Sequence, residues 1–142
     1  MSKVSELRLR RRVQFYEVDS AGIVHFSWFF RYMEEAEHAL WREAGLSIAP
    51  GGSEIGFPRV STAFDFHRPL RFEDEFEVRI QITAIKSKTI QYSCMVTKGA
   101  ERIATGALTI ACVRKGPHHA MTAMAIPDEI TSRFEVAADA SM

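Results

Sequence analysis

The chain has 142 residues, 46% hydrophobic and 25% charged, which is ordinary for one domain with a single core spanning 1–142. Eighteen basic and eighteen acidic residues leave no formal net charge, so no overall field recruits nucleic acid or an anionic membrane. No apolar run has the length of a transmembrane helix and residues 1–6 lack the apolar core of a signal peptide, so a cytoplasmic protein is the expectation.

Leu7, Leu9, Val13 and Phe15 fall on alternate positions and predict a half-buried first strand. The basic run Arg8, Arg10, Arg11 and Arg12 lies mostly on the intervening positions and reads as a solvated or interface face of that strand. Asp19-Ser20-Ala21-Gly22 supplies turn chemistry that ends it. From about Ser27, the residues Phe29, Phe30, Met33, Ala36, Leu40, Trp41 and Ala44 recur at three- and four-residue steps up to Gly45, the pattern of an amphipathic helix with a stop. Residues 47–56, with Pro50-Gly51-Gly52, lead out of it as a flexible passage. Four further strands are predicted: Val60 to Phe66, Phe76 to Ile82, Ile90 to Val96, and an apolar run from Ile103 to Val113. Lys86-Ser87-Lys88 and Lys98-Gly99-Ala100-Glu101 are of hairpin length, which favours antiparallel neighbours. Pro127-Asp128-Glu129 opens a short amphipathic helix running to Phe134. One long helix with a strand before it and four after it is an α+β pattern in which a sheet can wrap the helix. There is no internal repeat, low-complexity tract or linker.

Cys94 and Cys112 sit inside strand-like runs as small apolar residues, without metal-ligand spacing. His38 and His67 read as structural or solvated, and the pair His118-His119 as polar loop surface. The stretch from Phe15 to Phe26 carries the chemistry, because it sets the carboxylate of Asp19 beside a helix start. Unpaired backbone N–H groups there favour negative charge, so an acyl carbonyl oxygen turning into an oxyanion would be stabilised. On local chemistry alone the commoner role is plainer, an Asp ahead of a Gly that bonds its own backbone.

This segment, within a stretch from about Leu7 to Arg114, resembles the 4-hydroxybenzoyl-CoA thioesterase-like branch of the hotdog-fold acyl-CoA thioesterases. Tyr16, Glu17, Asp19, Gly22 and Val24 stand at the branch's aromatic, acidic, Asp and Gly-x-Val positions, and Glu34 stands at its helix acid. The block from Asp65 to Asp74, with Pro69, is similar to the family's strand-to-strand connection. His25 departs from the pattern, since many relatives place an aromatic residue there.

The resemblance implies a hotdog fold, an antiparallel sheet wrapped around one long helix, and hydrolysis of an acyl-CoA thioester to free acid and CoA without metal or organic cofactor. Asp19 would act as nucleophile, giving a mixed anhydride, or as general base for water. The helix start at His25, Phe26 and Ser27 would polarise the carbonyl. Glu17 and Gly22 fall on the substrate side. Glu17 either raises the neighbouring carboxyl's pKa by like-charge repulsion or pairs with an arginine in a supporting role. His25 either bonds the carbonyl or a nearby water, or packs with a satisfied ring nitrogen, and Glu34 reads as solvated or salt-bridged. Lys86 and Lys88 are the candidates for the CoA phosphates, with Arg102, Arg114 and Lys115 next. A homodimer or homotetramer with sites between subunits is implied. Rival readings are a thioesterase for acyl carrier protein, a hydratase, whose His–acid pair this chain does not clearly show, and a non-catalytic acyl-CoA-binding protein. Benzoyl-type and aliphatic acyl groups both remain open.

Overall fold

Alternating side chains become strands, and the three-and-four pattern becomes a helix, in the computed structural model, which describes residues 2–139. Strand β1 (Glu6–Arg12) precedes helix α1 (Ser27–Glu43). After it come β2 (Ile55–Gly56), β3 (Arg59–Phe66), β4 (Glu75–Ile85), β5 (Thr89–Lys98), β6 (Glu101–Ala111), β7 (Val113–Lys115), β8 (Met121–Ala123) and the one-turn helix α2 (Asp128–Thr131). Five strands form one antiparallel sheet in the order β1-β4-β5-β6-β3. β2, β7 and β8 form a second, three-stranded sheet.

The main sheet curls round α1. Phe29, Tyr32, Met33, Ala36, Leu40 and Trp41 of the helix are buried in one cluster with Val78, Ile80 and Ile82 of β4, Ile90, Tyr92 and Val96 of β5, and Leu108 and Ile110 of β6. Fully burying an aromatic or aliphatic side chain contributes roughly 1.5 to 3 kcal/mol, so this contact fixes where the helix starts and ends relative to the strands. The arrangement is the hotdog fold that the resemblance implied, on the α+β order that the sequence pattern predicted.

Three local expectations are corrected. The first strand stops at Arg12 and does not reach Phe15: Glu17 pulls the chain into a tight 3₁₀ turn over Phe15–Glu17 by accepting the Gln14 N–H, and Phe15 swings out to 73% exposure. The run Ile103 to Val113 is two strands. At Cys112 the chain leaves the main sheet, donating its N–H to the Lys88 carbonyl and accepting from the Met124 N–H, so β7 pairs with β2 and β8 instead. The C-terminal helix is a single turn, after which Phe134 plugs into the core beside Trp41, with ring centroids 5.2 Å apart.

Candidate active site

Residues 17–25 form a miniature hairpin. The Glu17 carbonyl accepts from His25 N–H at 2.9 Å, Val18 bridges Val24, and Asp19 N–H donates to the Ile23 carbonyl at 2.9 Å. Gly22 N–H closes the turn on the Asp19 carbonyl at 2.9 Å. Gly22 has φ +80°, the left-handed region where a side chain is strained, and open space where its Cβ would stand. Its part is therefore backbone shape; a substrate contact is not needed to account for it. The block Asp65 to Asp74 docks the hairpin from the other side, with Val24 N–H donating to the Leu70 carbonyl at 2.8 Å and Ile23 bridged to Arg71. Asp74 caps that connection by accepting Arg71 N–H at 2.8 Å.

Asp19 is half-buried. Its Oδ1 accepts the Ala21 N–H at 2.8 Å, the self-bonding turn that local chemistry allowed, while Oδ2 has no partner among the described residues. The turn therefore occupies one oxygen of the carboxylate and leaves the other turned away from it. The other arm of the hairpin runs straight into the helix, where the three candidate N–H groups are not equivalent. His25 N–H is taken by Glu17, and Ser27 N–H donates to the His25 ring Nδ1 at 3.3 Å. Among the described residues nothing accepts from Phe26 N–H, so of the three this is the group left without an acceptor at the helix start.

His25 is thus a cap on its own helix. Its ring stacks on Phe26 with centroids 4.6 Å apart, and its Nδ1 also meets Ser27 Oγ at 2.9 Å, which puts the proton of the neutral ring on Nε2. That favours the packing alternative over a bond to a substrate carbonyl.

Between Asp19 and the helix start opens a pocket of about 460 Å3. Val24, Phe29 and Leu70, all buried, form its floor, Phe26 and Phe66 stand at its sides, and His67 and Arg68 are at its exposed rim. Phe66 packs edge-on against Phe29 with centroids 5.1 Å apart. Phe66, His67 and Arg68 escaped sequence reasoning as site residues, since nothing in strand alternation says which end of a strand faces a pocket.

Three expected site residues stand elsewhere. Glu17 is fully buried with both carboxylate oxygens turned to the protein, so it does not touch a substrate. Lys86 and Lys88 flank the β4–β5 turn, at the opposite end of the eleven-residue β4 from Asp74 and the pocket, roughly 30 Å away at the usual rise per residue. Within one copy of the chain they do not reach Asp19. The cations beside the pocket are instead Arg68 and, across an adjoining open groove that also holds His67, Arg102. Glu34 is salt-bridged to Arg59 at 3.1 Å. Burial pushes the Cys94 thiol up to about 12, and Cys94 and Cys112 are both buried free cysteines. Among the described residues no group of His, Cys, Asp and Glu could hold a metal ion.

Residues 13–134 match the Thioesterase-like superfamily. A 1,4-dihydroxy-2-naphthoyl-CoA hydrolase of Synechococcus sp. (strain CC9311) is 37% identical over 84 residues, which cover 53% of this chain and 55% of that enzyme, so the match spans little more than half of the relative. A crystal structure of a hypothetical protein from Aquifex aeolicus superposes with a TM-score of 0.84 at 29% identity, covering 91% of this chain and 99% of that one. A gentisyl-coenzyme A thioesterase superposes with a TM-score of 0.80 at 28% identity, covering 91% of this chain and all of that one. With most of its length matched and the same fold throughout, the chain belongs to the thioesterase-like superfamily.

Proposed function

We propose that the protein hydrolyses an acyl-CoA thioester, with Asp19 and the Phe26 N–H as the reacting pair. The observation that carries this reading is a carboxylate oxygen on one arm of the hairpin and a backbone N–H just past its other arm, neither with a partner among the described residues, in two residues that line the same apolar pocket. The thioester carbonyl accepts from Phe26 N–H at the positive end of α1, which stabilises the oxyanion as the carbonyl carbon becomes tetrahedral. Asp19 Oδ2 either takes a proton from water as the water oxygen adds, or itself adds to give a mixed anhydride that water then opens. In both routes the C–S bond breaks, the CoA sulfur leaves as thiolate and is protonated, and the acid is released.

An aromatic acyl group is the best-supported substrate. Phe26, Phe29 and Phe66 wall the pocket with phenyl rings, and the two named relatives carry aryl-CoA substrates in their names. A panel of benzoyl-type and aliphatic acyl-CoA thioesters, followed by free thiol release, tests activity and preference together. Asp19→Asn lowers turnover by at least about a hundredfold in a folded sample, because the amide neither attacks nor accepts a proton well. Thiol release by that variant at the wild-type rate would remove Asp19 from the mechanism.

The working unit is a dimer or larger. β3 pairs with β6 on one side and, among the described residues, has an open edge on the other, with Val60 and Phe66 exposed, a surface that invites a second strand. Two-fold pairing of β3 with its counterpart runs the strands antiparallel, setting the Phe66 end of one copy beside the Arg59 end of the other. In one copy the Arg59 end lies with the β4–β5 turn, since Arg59 is opposite Ile110 and Ala111 is opposite Thr89. Such a pair brings Lys86 and Lys88 of the partner subunit to the side of the sheet where Asp19 stands. Light scattering at working concentration is expected to give at least a dimer mass.

A further inference from the structure

The fully buried Glu17 is not accounted for by the reaction, yet its side chain is joined to three separate parts of the fold. Oε1 accepts from the Gln14 N–H at 2.9 Å and from the Tyr32 hydroxyl at 2.8 Å, and Oε2 stands 2.6 Å from Arg11 Nη1. The last contact is a charge-to-charge approach, off the line of a well-aligned hydrogen bond. Arg11, on β1, is itself held: its Nε and Nη2 meet both oxygens of Glu35 at 2.8 and 3.4 Å, and its guanidinium lies over the Tyr32 ring, 4.7 Å from the centroid. Tyr32 and Glu35 belong to α1. The backbone of Glu17 meanwhile accepts the His25 N–H, one residue ahead of Phe26. One residue therefore ties β1, the second turn of α1 and both arms of the Asp19 hairpin together.

We infer that Glu17 is a positioning residue for thioester hydrolysis, acting through Arg11 and Tyr32 to fix the Asp19 hairpin against the start of α1 and so to set the separation between Asp19 Oδ2 and the Phe26 N–H. The inference rests on the Asp19 and Phe26 reading of the site. A buried ion pair is a poor source of net stability, because desolvating both charges offsets most of their attraction. What such a pair gives is a defined geometry, since every alternative placement leaves a charge without a partner in a dry interior. Tyr32 suits that use: burial, and then the neighbouring Glu17 carboxylate, raise its pKa well above the ordinary tyrosine value, so it remains a hydroxyl donor at any working pH.

Glu17→Gln tests the inference at constant size. The amide oxygen still accepts from Gln14 and Tyr32, but the amide nitrogen then faces the Arg11 guanidinium, donor to donor, and the hairpin shifts. A displacement near 1 Å costs about a hundredfold in rate where two groups must meet a reacting centre together, so kcat per folded molecule is expected to fall about ten- to a hundredfold. KM for an acyl-CoA that the wild type hydrolyses should stay within about twofold, because the pocket walls are untouched and the loss is confined to the transition state. A role in folding alone would lower the melting temperature and the folded fraction while leaving kcat per folded molecule as it was.

Tyr32→Phe keeps the ring and its stack under Arg11 but deletes one donor to the carboxylate, so a smaller, several-fold fall in kcat at unchanged KM is expected; this variant serves if Glu17→Gln does not fold. Wild-type kcat per folded molecule in Glu17→Gln, or in Tyr32→Phe where the first does not fold, overturns the inference, and so does a parallel rise in KM. Asp19→Asn measured alongside separates the two failures. If Asp19→Asn retains wild-type turnover, the site reading falls and the role of Glu17 falls with it. If Asp19→Asn is inactive while Glu17→Gln is unimpaired, the positioning role alone is refuted.

Discussion

Arg59→Met should destabilise the fold in a way that depends on pH with a sign set by one buried carboxyl. Glu37, in the middle of α1, is fully buried, and Arg59 at the start of β3 forms an ion pair with it while also bonding Glu34. Burial pushes the Glu37 carboxyl above its ordinary value of 4.5, and the Arg59 charge pulls it part of the way back. Removing Arg59 leaves burial unopposed. Breaking such a pair from one side typically costs about 3 to 5 kcal/mol, because a charge is stranded. The protein has an escape, which is to fold with Glu37 protonated, and the cost of that route is about 1.4 kcal/mol for each pH unit above the unfolded pKa. Starting from 4.5, the penalty is capped at about 3.5 kcal/mol at pH 7 and at no more than about 1 kcal/mol at pH 5. A carboxyl whose folded pKa is raised contributes stability fully below its unfolded pKa and loses it as pH rises towards the folded value, so the variant is relatively best off in acid. Urea unfolding of wild type and Arg59→Met at pH 5 and pH 7 measures this directly. The difference between the two proteins should shrink by up to about 2.5 kcal/mol on going from pH 7 to pH 5, less whatever the wild type's own raised Glu37 carboxyl contributes. The added change Glu37→Gln should remove that pH dependence. A difference that is the same at both pH values, or one that grows in acid, refutes the reasoning.

The other expectations are read by simpler assays. Gly106→Ala would put a Cβ 2.7 Å from the Phe64 ring, which lies edge-on to both Phe29 and Phe30; the ring must move, and thiol release should fall together with melting temperature, whereas an unchanged KM and melting point would mean that this packing does not govern the pocket. Cys94, with its thiol held up to about 12 by burial, should resist a thiol-specific reagent at pH 8 in the folded protein and react on unfolding; rapid native reaction would contradict its placement. Replacing Lys86 and Lys88 together by Ala should raise KM for acyl-CoA at little change in kcat and scarcely affect an acyl-pantetheine, while Arg68 and Arg102 replaced together test the cations of the same copy; an effect of the second pair without the first would discard the partner's lysines.

The fold was legible because its signals are local and repeated. Strand alternation in β4 and β5 and the three-and-four spacing of Phe29, Met33, Ala36 and Leu40 each recur often enough to survive an exception, and the core cluster is built largely from those positions, whereas of the alternating β3 residues only Phe64 packs against it. Where one contact overrode the pattern, sequence reading failed. Phe15 continues the alternation of β1, yet the bond from Gln14 N–H to Glu17 turns the chain before it, and no periodicity carries that bond. The site divides in the same way. Asp19 and the helix start are adjacent in sequence, so their pairing could be read, whereas the cations at the pocket come from residues that only the register of β3 on β6 brings near: Phe66 lies opposite Ala104, and His67 and Arg68 both donate their N–H groups to the Ile103 carbonyl. The equivalence of His25, Phe26 and Ser27 as N–H donors could not be broken from sequence either, because it depends on a histidine ring folding back on its own helix and on a carbonyl across the hairpin. On the proposed reading, chemistry at this helix start is decided by which N–H groups the protein uses itself, and the Phe26 N–H, without an acceptor among the described residues, is the one a substrate oxygen would take.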